Sequence, residues 1–447
     1  MIELMQHQNE TVEFGRTNAS ILDWSDPGTG KTISHLTIFK KRMDAGSSNR
    51  LLVLCPKSIM RVAWEADIQK AYPDLPYALA YATNREAAVR SGAKVVIMNH
   101  DGITWAAKNL RLLREMGFTD LYIDESTAFK NPRAARTKAA IKVSKEFVFR
   151  HLMTGTPAMK SVQELWSQAM ICDHGERLGS NFYRFRAEVT EPVVVKRGVT
   201  DWVDKPDMMP VISVLLNDIV IRHSSDECLD LPEHTVRRID VELTREHMAY
   251  YEKLRKDALV QMANGQVSAV QKGVLRQKLR QAAAGTVYGD DGKVITFDTG
   301  RYELIMQLAS ERSATVVPFV FTHQIEELRR LAARMDMPFG EIHGGISDDH
   351  RERAVNRFQN GDDRIIFIHP QSAAHGITLT AGRATVWTSP TDSAEQFVQT
   401  NHRIYRNGVR HTTETILLQG VGTLEPAIYD ALDGDQANLN DLYGMLA

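Results

Sequence analysis

The sequence predicts an α/β protein of two lobes, each built on a mainly parallel sheet, and three observations carry that expectation. Short apolar runs rich in β-branched residues alternate with longer amphipathic stretches, the pattern of strands buried on both faces and joined by helices. The alternation breaks near residue 240 and returns after residue 310. The chain has 447 residues, enough for two or three domains and a large core.

In the first half the strand-like runs are SILDWS from Ser20, RLLVLCP from Arg50, KVVIMNH from Lys94, LYIDES from Leu121 and FVFRHLMTG from Phe147. In the second half they are VVPFVFT from Val316, RIIFIHP from Arg364, ATVWTSP from Ala384 and ETILLQG from Glu414. Between them, residues 240–286 have a helical pattern, and residues 245–286 carry eight Lys or Arg against three Asp or Glu. This division assigns residues 1–235 to a first lobe and 236–447 to a second, with a helical basic insertion near 245–286. Linker signals are Pro206 and Pro210, Leu231 with Pro232, and a GDDGK turn at Gly289–Lys293.

Composition excludes several classes. Hydrophobic residues make up 43% and charged residues 25%, the balance of a globular protein and not of a disordered tail or coiled coil. Lys plus Arg is 54 against Asp plus Glu 56, so a polyanion would have to be held by local basic patches and not by a global field. Cys55, Cys172 and Cys228 are too few and too scattered for a disulfide framework or a zinc site, which points to a reducing, cytoplasmic setting. The N-terminal residues lack a signal-peptide pattern, and no apolar run approaches the roughly 18 residues of a membrane span.

SDPGTGKT, Ser25–Thr32, follows a strand and opens a helix. Main-chain N–H groups of such a loop, with Gly28, Thr29 and Gly30, cradle phosphates; Lys31 reaches the outer phosphate oxygens and Thr32 offers a hydroxyl to magnesium. The strand LYIDE supplies the acid pair such a loop requires: Asp124 to hold the ion through water and Glu125 to orient and deprotonate the attacking water.

The order DPGTGKT, LCPKSIMRVAWEADI, IDESTAFKN and LMTGTPAMKSVQELW resembles helicase-superfamily-two motors, and specifically their Swi/Snf-like branch. LGSNFYRFRAEVTEP from Leu178 and the stretch Val220–Thr244 resemble that branch's first-lobe ending, and VLRQKLRQAAAG from Val274 its Leu-Arg-Gln helix. The resemblance implies two RecA-like lobes with an ATP cleft between them, ATP and Mg2+ as cofactors, and Thr154, Gly155 and Thr156 as the segment coupling hydrolysis to movement. In the second lobe, SAAHGITLTAGRATVW resembles a motif that brings Gly376 to the nucleotide and Thr380 to nucleic acid. QTNHRIYRNG resembles the motif whose two arginines fall on Arg403 and Arg406. Their spacing of three lets both guanidinia face one γ-phosphate from a helix face or tight turn, although alone they would read as surface arginines. LMQHQNETVEF resembles an adenine-recognising motif, with Gln8 reading the base edge or serving only as a helix-capping or surface glutamine.

The chain departs from the family at several points. Ser126 and Thr127 replace the usual Ala-His after the acid pair, which puts the coupling contact to Thr154–Thr156 in doubt. Ala373 and Ala374 replace paired glycines, Thr378 an asparagine, His402 an acid and Val409 a glutamine. For nucleic acid, Lys57, Ser58 and Thr380 are motif-based contacts. The run holding Lys130, Arg133 and Arg136 contains no acid from Phe129 to Lys145, so it reads either as a phosphate contact or as a solvated face. The expected activity is a monomeric, nucleic-acid-stimulated ATPase of compact bacterial or phage type that translocates on double-stranded DNA. A strand-separating DNA or RNA helicase, an ATP-gated nucleic-acid clamp and a one-domain P-loop kinase are the alternatives, the last opposed by the second lobe.

Overall fold

The computed structural model describes residues 3–158, 160–196, 199–263, 269–288, 294–373 and 377–444. The chain divides into two compact units, Met1–Asp230 with Asp435–Ala447, and Leu231–Gly434. The boundary expected between residues 235 and 236 falls inside a strand that begins at His234.

In the first unit, helix α1 (Gln6–Thr17) precedes β1 (Ser20–Asp23), and helix α2 (Lys31–Asp44) leads to β2 (Arg50–Cys55). The strands β3 (Tyr77–Ala80), β4 (Val95–Asn99), β5 (Phe118–Asp124) and β6 (Phe149–Met153) follow. β7 (Thr190–Lys196) and β8 (Val199–Asp204) form a separate antiparallel hairpin, and β9 (Val220–Ile221) returns to the sheet. The sheet order is β3-β4-β2-β5-β6-β1-β9, with every pairing parallel. Its central strands are buried on both faces, which explains why β2 and β4 read as unbroken apolar runs. On one face Leu36 and Phe39 of α2 pack with Val53, Ile97, Tyr122 and Met153.

The second unit holds β10 (His234–Val241), a short hairpin of β11 (Thr286–Tyr288) and β12 (Val294–Thr296), then β13 (Thr315–Pro318) and β14 (Phe339–Ile342). β15 (Ile365–Ile368), β16 (Ala384–Trp387) and β17 (Thr413–Gly420) complete it. Its sheet runs β10-β17-β16-β13-β15-β14, again all parallel. Alternate residues face opposite layers: Val317 and Phe367 enter one core cluster, Val316 and Ile366 the other.

Two sequence expectations are corrected. The stretch Val220–Thr244, read as the end of the first lobe, is divided: Val220 and Ile221 pair with β1, whereas His234–Val241 pairs with β17 of the second sheet. Pro210 marks no linker but sits in the first turn of the helix Met208–Leu216, where proline's missing N–H costs nothing. Residues 240–286 are largely helical as expected, with helices Arg245–Ala263 and Ala269–Ala283, and the Gly289–Lys293 turn lies outside the described residues.

Candidate active site

β6 lies between β1 and β5, and Met153 is in register with Asp23 on one side and Asp124 on the other. The phosphate loop after β1, the acid pair ending β5 and Thr154–Thr156 after β6 therefore emerge together at the C-terminal edge of the first sheet. That edge is where open α/β sheets bind ligands.

Gly28 and Gly30 adopt left-handed φ values of 92° and 82°. At Gly30 a Cβ would also lie 2.2 Å from Gln8 Nε2, so the turn into α2 favours glycine, and a larger residue would have to displace the Gln8 amide. Lys31 Nζ donates to the main-chain oxygens of Ser25 and Asp26 at 2.6 and 3.0 Å. Thr32 stands half-buried in the first turn of α2. The loop's entry limb is tied down by the segment after β9: His223 N donates to Ser25 Oγ and Ser225 N to Asp26 Oδ2. From α1, His7 Nε2 and Gln8 Nε2 both donate to Thr29 O, at 2.8 and 3.2 Å. Gln8 Oε1 accepts from Met5 N at 3.0 Å. Gln8 is thus both helix cap and loop contact, and reading an adenine edge would require these bonds to be exchanged.

Asp124 is buried, accepting from Trp64 Nε1 and from Glu125 N, each at 3.0 Å. Burial first, and the Glu125 charge second, push its carboxyl up to about 6, while Lys31 pulls the other way. Glu125 takes a positive φ of 52°, sparsely populated for a residue with a side chain, and this is backbone strain at the predicted base. The donor set fits magnesium: a hydroxyl and a carboxylate offer hard oxygens, and such an ion takes few protein ligands beside substrate oxygens and water. Among the described residues no group of three or more His, Cys, Asp or Glu forms an all-protein metal cage.

Ser126, which stands where the family has an alanine, reaches the segment after β6 through Gln168. Ser126 Oγ donates to Gln168 Oε1 at 2.7 Å, and Gln168 Nε2 donates to Pro157 O at 2.8 Å. Gln168, on the helix Gln163–Asp173, so bridges the acid pair to the segment after β6. Thr154 N donates to Asp23 O at 2.9 Å, and a Cβ on Gly155 would lie 2.8 Å from Pro27 Cδ in the phosphate loop. Thr156 N donates to Thr154 Oγ1, and the buried Thr156 Oγ1 has no partner among the described residues.

In the second unit Arg403 Nη1 and Arg406 Nη1 converge on the carbonyl of Ile377, at 2.9 and 3.4 Å, from turns after the helix Ala394–Asn401. Thr380 Oγ1 accepts from Gln359 Nε2 at 3.1 Å, and Gly376 lies outside the described residues.

The nucleic-acid candidates separate. Lys57 is exposed and Ser58 half-buried beyond β2. Lys130 pairs with Glu164 at 3.0 Å and Arg136 with Asp101 at 3.6 Å, so a run without acids in sequence has acids beside it in space. Arg133 is exposed, 6.0 Å from the ring centre of the exposed Tyr183. Trp64 and His100, which donate to Asp124 Oδ2 and Asp124 O at 3.0 and 2.8 Å, and Gln168 are residues of this edge that sequence reasoning did not single out. Gln168 gives no local signal, whereas His100 ends the strand-like run KVVIMNH and Trp64 lies in LCPKSIMRVAWEADI.

Residues 7–284 match the SNF2-related domain and residues 300–408 the helicase conserved C-terminal domain. The chain belongs to the SNF2-related family and carries its helicase-like ATPase domains. It is 25% identical to protein p41 of Acyrthosiphon pisum secondary endosymbiont phage 1, over 89% of this chain and 86% of that protein. It is 24% identical to the human DNA annealing helicase and endonuclease ZRANB3 over 96% of this chain, yet spans only 39% of that protein. A Sulfolobus solfataricus SWI2/SNF2 ATPase core in complex with dsDNA is similar at a TM-score of 0.47 and 20% identity, covering 99% of this chain and 93% of that one. Among the described residues no helix is long and apolar enough to cross a membrane.

Proposed function

We propose that this chain is an ATP-driven motor that moves along double-stranded DNA without separating its strands, as a monomer in the cytoplasm of a bacterial or phage-infected cell. The observation that carries this reading is the meeting of Lys31, Asp124–Glu125 and Thr154–Thr156 at one sheet edge. Family membership and a relative named for DNA annealing support the substrate, and the phage relative supports the setting.

In this reading the first unit binds ATP and the second supplies the arginines that complete the chemistry. Lys31 exchanges its two carbonyl partners for phosphate oxygens, and the loop N–H groups with the α2 N-terminus hold the remaining negative charge. Thr32 and Asp124 would hold magnesium, which supplies neutralising charge to the phosphates. Glu125 takes the proton of the attacking water, and Arg403 and Arg406 act as fingers on the charge that develops. Gln168 passes a shift of the acid pair to Pro157 and so to Thr154–Thr156.

The test is ATP hydrolysis without polynucleotide, then with single-stranded DNA, duplex DNA or RNA. Duplex DNA should stimulate most; stimulation by RNA alone overturns the substrate. A triplex-displacement assay run beside a forked duplex separates tracking from unwinding, and fork opening without triplex displacement would favour a strand-separating helicase.

A further inference from the structure

Beneath the phosphate loop the first unit buries a continuous chain of polar side chains that the chemistry above does not use. Asp23, His35, His151 and Arg42 are each at most 7% exposed. His35 Nε2 lies 2.9 Å from Asp23 Oδ2, His35 Nδ1 lies 2.8 Å from His151 Nδ1, and His151 Nε2 lies 3.1 Å from Arg42 Nη1. The topology explains the meeting. His151 is in register with Ile21 and with Tyr122, so His151, Tyr122 and Asp23 share the sheet face that α2 covers. His35 and Arg42, seven residues apart, share one face of α2.

Donor rules fix the direction of the chain. A guanidinium can only donate, so His151 Nε2 accepts from Arg42. His151 must then carry its proton on Nδ1 and donate to His35 Nδ1, which leaves His35 Nε2 to donate to Asp23. Burial and then the Arg42 charge push the His151 imidazole well below its ordinary range, as this tautomer requires. The other charged and titratable neighbours agree: Asp120 lies 3.7 Å from Arg42, Tyr122 stacks on His151 at 4.2 Å, and Arg150 and Lys31 add positive charge nearby.

Both ends of the chain touch working parts. Asp23 Oδ1 accepts from Ser25 N at 2.9 Å, at the loop limb whose carbonyl holds Lys31. Asp23 O accepts from Thr154 N, and β6 runs from His151 through Met153 directly into Thr154. Arg42 Nη2 donates to Gly15 O and Asn18 O at 2.5 and 2.6 Å, which anchors the end of α1, the helix that bears Gln8.

We propose that Arg42, His151, His35 and Asp23 form a one-way hydrogen-bond relay that sets the phosphate loop against Thr154–Thr156, which makes His35 and His151 positioning residues for nucleotide turnover. This rests on the ATPase reading. Its test uses the full chain with His35→Leu, His35→Gln, His151→Phe and the double variant His35→Leu with His151→Phe. A glutamine amide can reproduce the donor that His35 gives to Asp23; leucine cannot.

His35→Leu should raise KM for ATP about tenfold with a smaller change in kcat, and His35→Gln should recover most of that loss. The double variant should lose no more than His35→Leu alone, because parts of one relay are not additive. Equal KM values in the leucine and glutamine variants, or additive losses, would overturn the relay. Nitrogen NMR of histidine-labelled wild type gives a readout that needs no variant to fold: single protons on His35 Nε2 and His151 Nδ1 support it, and an imidazolium at either overturns it. If wild type binds a fluorescent ADP analogue but hydrolyses nothing, the ATPase reading fails while the relay is judged by the same variants' ADP affinity. A wild type that binds no nucleotide overturns both.

Discussion

At the C-terminal edge of the first sheet, Lys31 is held by two main-chain oxygens, Thr156 Oγ1 is unpartnered among the described residues and Glu125 sits in a strained backbone region. At the corresponding edge of the second sheet, Arg301 clamps Glu425 through two bonds of 2.8 and 2.6 Å and also donates to Thr388 O beyond β16. Glu425 in turn accepts from Gly420 N at the end of β17. Burial alone would push the Arg301 guanidinium down, and the Glu425 charge reverses it. Two sheets of the same construction thus end differently. One keeps donors and a cation on exchangeable partners, as a ligand site must, and the other closes part of its edge with a satisfied ion pair, as a scaffold does.

The largest expected effect falls on the first edge. Glu125→Gln should reduce ATP turnover by about 10³-fold or more while retaining nucleotide affinity, because it removes the proposed base and leaves the phosphate cradle. Lys31→Ala should lose both. A steady-state assay beside equilibrium nucleotide binding checks the split, and full activity in Glu125→Gln would remove the assignment. On the second unit, Arg403→Ala should cost about 10³-fold in polynucleotide-stimulated rate, the usual weight of an arginine finger, with ADP binding unchanged. A chain truncated near residue 235 should behave the same way. Wild-type turnover from it would confine the chemistry to the first unit.

The second edge should respond in stability instead. Glu425→Leu alone leaves Arg301 buried without its partner and should destabilise by about 3–5 kcal/mol. Pairing it with Arg301→Met should recover most of that loss. Thermal unfolding of the two variants, read beside ATP turnover of the double variant, decides whether the clamp is a scaffold, since a functional role would leave the double variant stable but inactive.

The contrast between the edges also explains what the sequence made legible. Strands β1, β2, β4, β5 and β6 were readable because parallel strands buried on both faces leave apolar runs, and the placing of Lys31, Asp124 and Glu125 at one sheet edge because each follows or ends such a run. β3, with the Ala-rich YALA, and β9, with two residues, carry too little side-chain signal. β10 is a half-exposed edge strand whose pattern does not say which sheet it joins. Asp23, His35, Arg42 and His151 became a network only through register and helix pitch, and Gln168 meets Ser126 across 42 residues of chain. Periodicity reports burial along one element and is silent about which polar residues of separate elements meet.

Gln168 ranks next. Gln168→Leu removes both of its bridging bonds and leaves Ser126 and the Pro157 carbonyl buried without that partner, which should cost about 1–3 kcal/mol. If the bridge couples the acid pair to movement, Gln168→Leu should lower polynucleotide stimulation more than basal hydrolysis, and Ser126→Ala should follow it in direction. Equal loss of both rates would reduce the bridge to packing.

The smallest effect concerns nucleic-acid affinity, and it turns on which cations are already paired. With a net charge of −2, binding must come from local contacts, so log affinity should fall linearly with log salt, by about 0.9 per duplex phosphate neutralised. No ion pair holds Lys57 or Arg133 among the described residues, whereas Lys130 and Arg136 face Glu164 and Asp101. A contact made by Lys130 would have to give up Glu164, so part of its gain is returned. Lys57→Ala and Arg133→Ala should therefore each reduce the salt slope by close to one phosphate, and Lys130→Ala and Arg136→Ala by clearly less. Equal reductions across all four would mean that the two ion pairs open on binding. No reduction in any of them would mean that this face is only solvated and that the motor grips its track elsewhere, with the hydroxyls of Ser58 and Thr380 next to be tested.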